Sequence, residues 1–191
     1  MTYGRIFVQI CCAPMLLASS IAFAEPAKFS EKLADWHRIN TAKIASVTSD
    51  AEAPLSLITS TSVGQSIIRE LVLLKGQAML GTPYVYGSNE ANAVDCSALI
   101  QQLFDNAGIE LPRTTRDLVH VGSAVSRHAL RPGDLLFYRW QRHGLHAVIY
   151  LGNGMAIHAS PSERGVVITE LNKTWNKRFV AARRIVQEKT I

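Results

Sequence analysis

One cysteine, Cys96, stands directly before an apolar segment in DCSALI, and two histidines, His146 and His158, flank the stretch Gly152-Asn153-Gly154. A thiol, a base and a third polar group are the parts of a thiol hydrolase. The thiolate attacks an acyl carbon, the imidazole holds the ion pair and later protonates the leaving amine, and the third group fixes the ring. Each residue also has an ordinary reading. A free cysteine often packs as a small hydrophobe, and a lone histidine is usually a satisfied surface or core residue. The elements that carry the three residues must decide between these readings.

Ala98, Leu99, Ile100, Leu103, Phe104 and Ala107 recur at helical spacing after the cysteine. Asp95 is a suitable N-cap and Gly108 a C-terminal stop. Cys96 then falls on the first turn, where unpaired backbone N–H groups and the positive helix end favour thiolate and lower the thiol pKa. On this helix alone, nucleophile and core thiol remain equal alternatives.

Beyond Pro132-Gly133-Asp134 the period changes from 3.6 to 2. Leu135 to Tyr138, Ala147 to Leu151, Met155 to Ala159, Val166 to Thr169 and Phe179 to Ile185 read as five short strands. A three-residue loop at Gly152-Asn153-Gly154, with Gly154 left-handed, pairs Leu151 with Met155 and Val148 with His158. His146 then lies one diagonal step from His158 on the same face. Ala147, Ile149, Leu151, Met155, Ile157 and Ala159 make the other face wholly apolar. A two-residue turn would slip the register by one and bury a histidine in that layer. His143 lies in the polar turn Trp140-Gln141-Arg142-His143-Gly144, whereas His146 opens a strand whose apolar alternate face pins its direction. His146 is therefore the expected base, His158 its orienting partner, and His143 a bystander.

The front of the chain is different. One positive charge at Arg5, an apolar run from Ile6 to Phe23 and the small-residue site Ala22-Phe23-Ala24 form a secretory signal pattern with cleavage after Ala24. Cys11, Cys12, Pro14, Ser19 and Ser20 interrupt the run, which argues against a membrane-spanning anchor. Neither Cys11 nor Cys12 follows a small residue, which argues against lipid anchoring. Cleavage leaves Cys96 as the lone thiol in an oxidising compartment, either buried or reactive. There is no C-x-x-C pair for a cysteine-type zinc site. Residues 25–62 are rich in Ala, Ser and Thr, with one amphipathic patch at Phe29, Leu33, Trp36, Ile44 and Val47, and read as a partly ordered extension. A helix over Gln65 to Leu80, with Ile67, Ile68, Leu71, Leu74 and Ala78 on one stripe and a stop at Gly81, leads into one domain at 63–191. At 191 residues, 48% hydrophobic and with a formal charge of +5 spread along the chain, the protein carries no nucleic-acid motif. Helices followed by an antiparallel sheet define an α+β fold.

The segments GTPYVYG, DCSALIQQLFDNAGIELPRTT, LRPGDLLFY, HAVIYLGNGMAIHAS and AARRI, in this order from about Ile67 to Val186, closely resemble the NlpC family of papain-like cell-wall cysteine peptidases. The resemblance implies a nucleophile helix packed on a small antiparallel sheet, with Cys96 as nucleophile, His146 as base and His158 as the third polar residue. It also implies hydrolysis of amide bonds in peptidoglycan stem peptides next to D-glutamate or meso-diaminopimelate, without a metal or organic cofactor. Tyr84, Asp95 and Ser97 match positions that help bind the peptide, in some members through its free amine. Tyr84 and the Cys96 backbone N–H have the chemistry to stabilise an oxyanion. Tyr86, Ala98 and Leu145 stand where relatives often have Trp, Gly and Ser, which affects subsite preference rather than reaction type. A papain-like amidase or acyltransferase, and a non-catalytic peptidoglycan-binding module, are the alternatives. The expected setting is the periplasm, with peptidoglycan peptides as partner and no stable membrane anchor.

The leader predicts a mature chain that starts at Glu25 and is released into the periplasm. N-terminal sequencing of envelope-derived protein checks this, and recovery of Met1 in a membrane fraction contradicts it.

Overall fold

The computed structural model describes residues 62–140 and 144–186, with two isolated positions at 34 and 38. The leader, the apolar residues of the 25–62 patch and His143 lie outside the described residues. The chain runs through α1 (Ser62–Ala78), a two-stranded ribbon of β1 (Asn89–Glu90) and β2 (Ala93–Val94), α2 (Cys96–Asp105) and a short α3 (Thr115–Leu118). It continues through β3 (Ser123–Ala124), β4 (Leu135–Trp140), β5 (Gly144–Gly152), β6 (Met155–Ser160), β7 (Gly165–Glu170), α4 (Lys173–Arg178) and β8 (Phe179–Arg184). The main sheet is antiparallel with strand order β3-β8-β4-β5-β6-β7. The α+β expectation and all five anticipated strands hold. The sheet nevertheless has six strands, because the two-residue β3, too short to show an alternating pattern, pairs with β8 at its edge.

Each sheet face packs a separate layer. Ala147, Ile149, Leu151, Met155, Ile157 and Ala159 join Leu99, Ile100, Leu103 and Phe104 of α2 and Val72 and Leu73 of α1 in the principal core. The opposite face carries Leu136, Tyr138, Val148, Ala156 and Ala182, covered by Trp175 and Phe179. A half-buried sheet with one layer on each side needs this strict alternation.

The expected stripe of α1 is corrected. Ile68 is buried, but Leu71 is 48% and Leu74 37% exposed, and the buried side chains of the helix are Gln65, Ile68, Val72 and Leu73, with Met79 buried just beyond its end. Apolar residues surround this helix, so its pattern offers two stripes. A side chain at Gly76 would meet Leu103 and Ile157 methyl carbons at 3.4 Å, so the small residue marks the face that approaches α2 and β6.

The β5–β6 hairpin is corrected too. Asn153 and Gly154 have φ of 51° and 74°, a two-residue turn with both central residues left-handed, as Asn and Gly tolerate. Gly152, not Leu151, pairs with Met155, and the register shifts between Tyr150 and Gly152. Below this bulge Tyr150 pairs with Ala156 and Ile149 with Ile157, the alignment anticipated for the strand bodies. One extra residue in β5 cancels the slip that a tight turn alone would impose.

Two more features brace the site. The left-handed Gly108 ends α2, with its N–H bonded to Asp105 C=O at 3.0 Å and the Ile109 N–H to Phe104 C=O at 3.0 Å, a Schellman closure. Arg184 of β8 grips buried Asp134 with Nε–Oδ1 at 2.7 Å and Nη2–Oδ2 at 2.8 Å, tying the turn before β4 to the last strand.

The packing of α1 predicts that Leu73→Ala lowers the unfolding free energy by about 2–5 kcal/mol, whereas Leu71→Ala changes it by about 0.5 kcal/mol or less. Urea unfolding of both variants measures this, and equal losses would contradict the assigned face.

Candidate active site

Asp95 caps α2: its Oδ1 accepts the Ala98 N–H at 2.8 Å, and the backbone enters extended at φ −94°. Cys96 therefore occupies the first helical position, as expected, and is partly exposed. Its thiol shares a cavity of about 350 Å³ with Tyr84, Tyr86, Asp95, Ser97, Arg113, Trp140 and His146. The Ala147 backbone N–H, directly after His146, also reaches the sulfur, so the start of β5 lies against the helix start.

His146 and His158 are 5% and 4% exposed. Nε2 of His146 lies 2.8 Å from Nδ1 of His158. The single-face arrangement expected from the sequence is thereby present. Trp175 stands edge-on to His158, with ring centres 5.3 Å apart, and Trp140 tilts against His146 at 5.5 Å. With Nε2 engaged, Nδ1 is the ring nitrogen of His146 left to act in the cleft it shares with Cys96. Of the two arrangements of the shared proton, only Nε2–H of His146 donating to Nδ1 of His158 leaves Nδ1 of His146 able to accept one.

Electrostatics correct one expectation. Burial pushes the Cys96 thiol above its ordinary pKa; the N–H groups of Ala147, Ser97 and Cys96 itself oppose this, while the Asp95 carboxylate adds to it. The helix start alone does not win, because a thiolate in this wall loses more solvation than those donors restore. Burial also lowers His146 to about 4, and burial followed by the nearby His146 lowers His158 to about 3. Thiol and imidazoles are consequently uncharged at neutral pH. Tyr84 is pushed up to about 12 by burial, then by Cys96 and Asp95, and so remains a hydrogen-bond donor.

Asp95 and Ser97 are in the cavity wall, but their polar atoms are engaged within the protein. Ser97 Oγ donates to Asp95 Oδ1 at 3.1 Å and accepts from Arg113 Nη1 at 2.9 Å. Arg113 is a site residue that motif reading did not single out, although it lies in the quoted LPRTT, because the carboxylate it pairs with is 18 residues away. Trp140 and Trp175 were also missed, because aromatic residues near strands read as core.

A helix-start thiol and two coupled imidazoles on an antiparallel sheet define a papain-like arrangement. The NlpC/P60 family model matches residues 81–184, and the chain belongs to the NlpC/P60 family. It is 41% identical over 108 residues to the murein DD-endopeptidase/murein LD-carboxypeptidase MepS of Escherichia coli K12, covering 56% of this chain and 57% of that protein. The chain thus spans about half the length of such curated relatives. Among solved structures, an NlpC/P60 family protein from Bacillus cereus is 28% identical with a TM-score of 0.58, covering 62% of this chain and 40% of that one. The fold of the peptidoglycan hydrolase RipB from Mycobacterium tuberculosis matches with a TM-score of 0.60 at 22% identity, covering 86% and 87% of the two chains.

Depressed histidine pKa values fix a sign. The unfolded chain takes up protons near pH 6.5 while the native histidines stay neutral to about pH 4 and below, so stability is full above pH 6.5 and falls as pH drops through this window. Each histidine should contribute a slope of about 1.4 kcal/mol per pH unit there. Urea unfolding between pH 7 and 5 tests this, with the slope reduced in His158→Gln; stability that rises on acidification contradicts neutral burial.

Proposed function

We propose that this protein is a cysteine endopeptidase that hydrolyses amide bonds of peptidoglycan stem peptides or cross-links, beside D-glutamate or meso-diaminopimelate, during cell-wall remodelling. The observation that carries the reading is the 2.8 Å contact between His146 Nε2 and His158 Nδ1 at a cleft shared with Cys96. The MepS relative supports the substrate class through its name, and the leader supports action in the periplasm. Among the described residues, no helix is long and apolar enough to cross a membrane.

The chemistry follows from the neutral resting state. Nδ1 of His146 takes the Cys96 proton as sulfur attacks the scissile carbonyl carbon, and His158 stabilises the resulting imidazolium through the Nε2 hydrogen bond. The Tyr84 hydroxyl and the Cys96 backbone N–H stabilise the tetrahedral oxyanion. Collapse breaks the C–N bond, and His146 returns the proton to the departing amine. Water, deprotonated by the same nitrogen, then attacks the thioester and releases the acid with restored thiol. A hydrolase needs no second acyl acceptor, which separates this reading from acyl transfer.

Cys96→Ala is expected to abolish release of new amino groups from purified muropeptides while costing no more than about 1 kcal/mol of stability. His146→Ala should lower turnover at least about a hundredfold, with a smaller loss for His158→Ala. Amine release by the folded variants, with products identified by mass spectrometry, is the measurement. A Cys96→Ala variant of normal activity would sink the proposal.

A further inference from the structure

A second cavity, of about 370 Å³, adjoins the one that holds the thiol. Trp140, His146 and Pro161 stand in the walls of both, so they form the ridge between them. Cys96 lines only the first cavity and His158 only the second. His158 of β6 pairs with Val167 of β7, and the two side chains stand side by side on the wall. The loop after β6 is fastened to this wall by Ser160, which is 2% exposed and whose Oγ accepts the Glu163 N–H at 3.2 Å and lies 3.0 Å from Ser162 Oγ.

The polar groups of the second cavity ask for a particular ligand. His158 is 4% exposed, and its Nδ1 is taken by Nε2 of His146 at 2.8 Å. In the tautomer that leaves Nδ1 of His146 able to accept a proton, His158 carries its own proton on Nε2. Among the described residues this N–H has no acceptor, and a buried donor gains most from an oxygen that reaches it. With both histidines neutral, Glu163 has the one formal charge among the lining residues, a carboxylate exposed at the cavity mouth. A donor in the wall and an anion at the mouth suit a group that bears both a carboxylate and an ammonium.

The order of bond breaking says which part of a substrate arrives here. During attack the acyl carbon is on the Cys96 sulfur, and the departing nitrogen must lie within reach of Nδ1 of His146, which returns its proton. The residue attached to that nitrogen therefore extends away from Cys96, past His146 and over the ridge of Trp140 and Pro161. We propose that the second cavity is the subsite for the amine-side residue of the substrate and takes a zwitterionic amino-acid group, its carboxylate accepting the His158 Nε2–H and its ammonium facing Glu163. The far end of a diaminopimelate whose other amine is in the scissile bond has this chemistry. The assignment rests on the hydrolase reading above and gives its leaving side a place. It also couples binding to chemistry: an acceptor on Nε2–H makes Nδ1 of His158 a stronger acceptor, which stabilises the His146 imidazolium that must protonate the departing amine.

The test begins without turnover. The 15N resonances of His158 in the full chain are followed while meso-diaminopimelate, pimelate or cadaverine is added; pimelate lacks the ammonium groups and cadaverine the carboxylates. Diaminopimelate should shift Nε2 saturably, pimelate should require about threefold more ligand because an exposed charge pair is lost, and cadaverine should leave Nε2 unmoved. Glu163→Gln should remove the preference for diaminopimelate over pimelate. Val167→Phe, which fills the cavity beside His158, should abolish the shift and lower kcat/KM for a diaminopimelate-containing muropeptide about tenfold, while Cys96 alkylation by iodoacetamide keeps its wild-type rate. Ser162→Trp, on the exposed loop, should do the same and serves if Val167→Phe does not fold. An Nε2 resonance that ignores diaminopimelate or answers equally to cadaverine, or a folded filling variant that cleaves the muropeptide as fast as the wild type, overturns the inference. A saturable diaminopimelate shift in a protein that hydrolyses no muropeptide overturns instead the hydrolase reading and leaves the cavity assignment standing.

Discussion

The hydrogen bond between His146 and His158 constrains more of this structure than any other contact. Two imidazoles must arrive from different strands, on one face, at 2.8 Å, and uncharged. Strand periodicity makes this demanding, since a slip of one residue would send one ring into the apolar layer under α2. The hairpin meets the demand in two parts. Asn153-Gly154 makes the tight turn that strand twist favours, and the bulge before Gly152 restores the alignment that the turn alone would lose. On the face that carries the rings, Trp175 and Trp140 pack against His158 and His146, and burial holds both histidines neutral.

The second organising group is Asp95. One carboxylate caps α2, accepts from the Gly87 N–H and pairs with Arg113, so the thiol, the cleft wall and the preceding loop share a single anchor. This arrangement does not maximise thiolate. Burial and the carboxylate raise the Cys96 pKa against three backbone donors, which keeps the resting thiol protonated, so the proposed mechanism includes proton transfer to His146 in the attack. A protonated thiol is also less reactive toward oxidants than a thiolate.

What could be read in the sequence follows from the range of the forces involved. Asp95, Cys96 and Gly108 were legible because caps and helix ends are local, and the six apolar alternations of β5 and β6 fixed which face the histidines share. The bulge was not legible: turn and bulge displace the register in opposite directions, and only their sum is visible as periodicity. The buried stripe of α1 was misassigned because Leu71 and Leu74 are as apolar as Val72 and Leu73, and only the close approach at Gly76 separates the faces. Arg113 was hidden for a different reason. Its partner lies 18 residues away, and nothing in local pattern distinguishes an arginine that completes a buried carboxylate from one on a solvated surface.

All of the proposed chemistry depends on where one proton resides in the histidine pair. Imidazole 15N NMR of the full chain at pH 7, with His146 and His158 assigned by substitution, reads this directly. The account predicts two neutral rings, with His146 protonated on Nε2 and bare on Nδ1, and the Nδ1 signal lost on acidification only well below the ordinary histidine range. A His146 ring that is doubly protonated at pH 7, or that carries its proton on Nδ1, would contradict it.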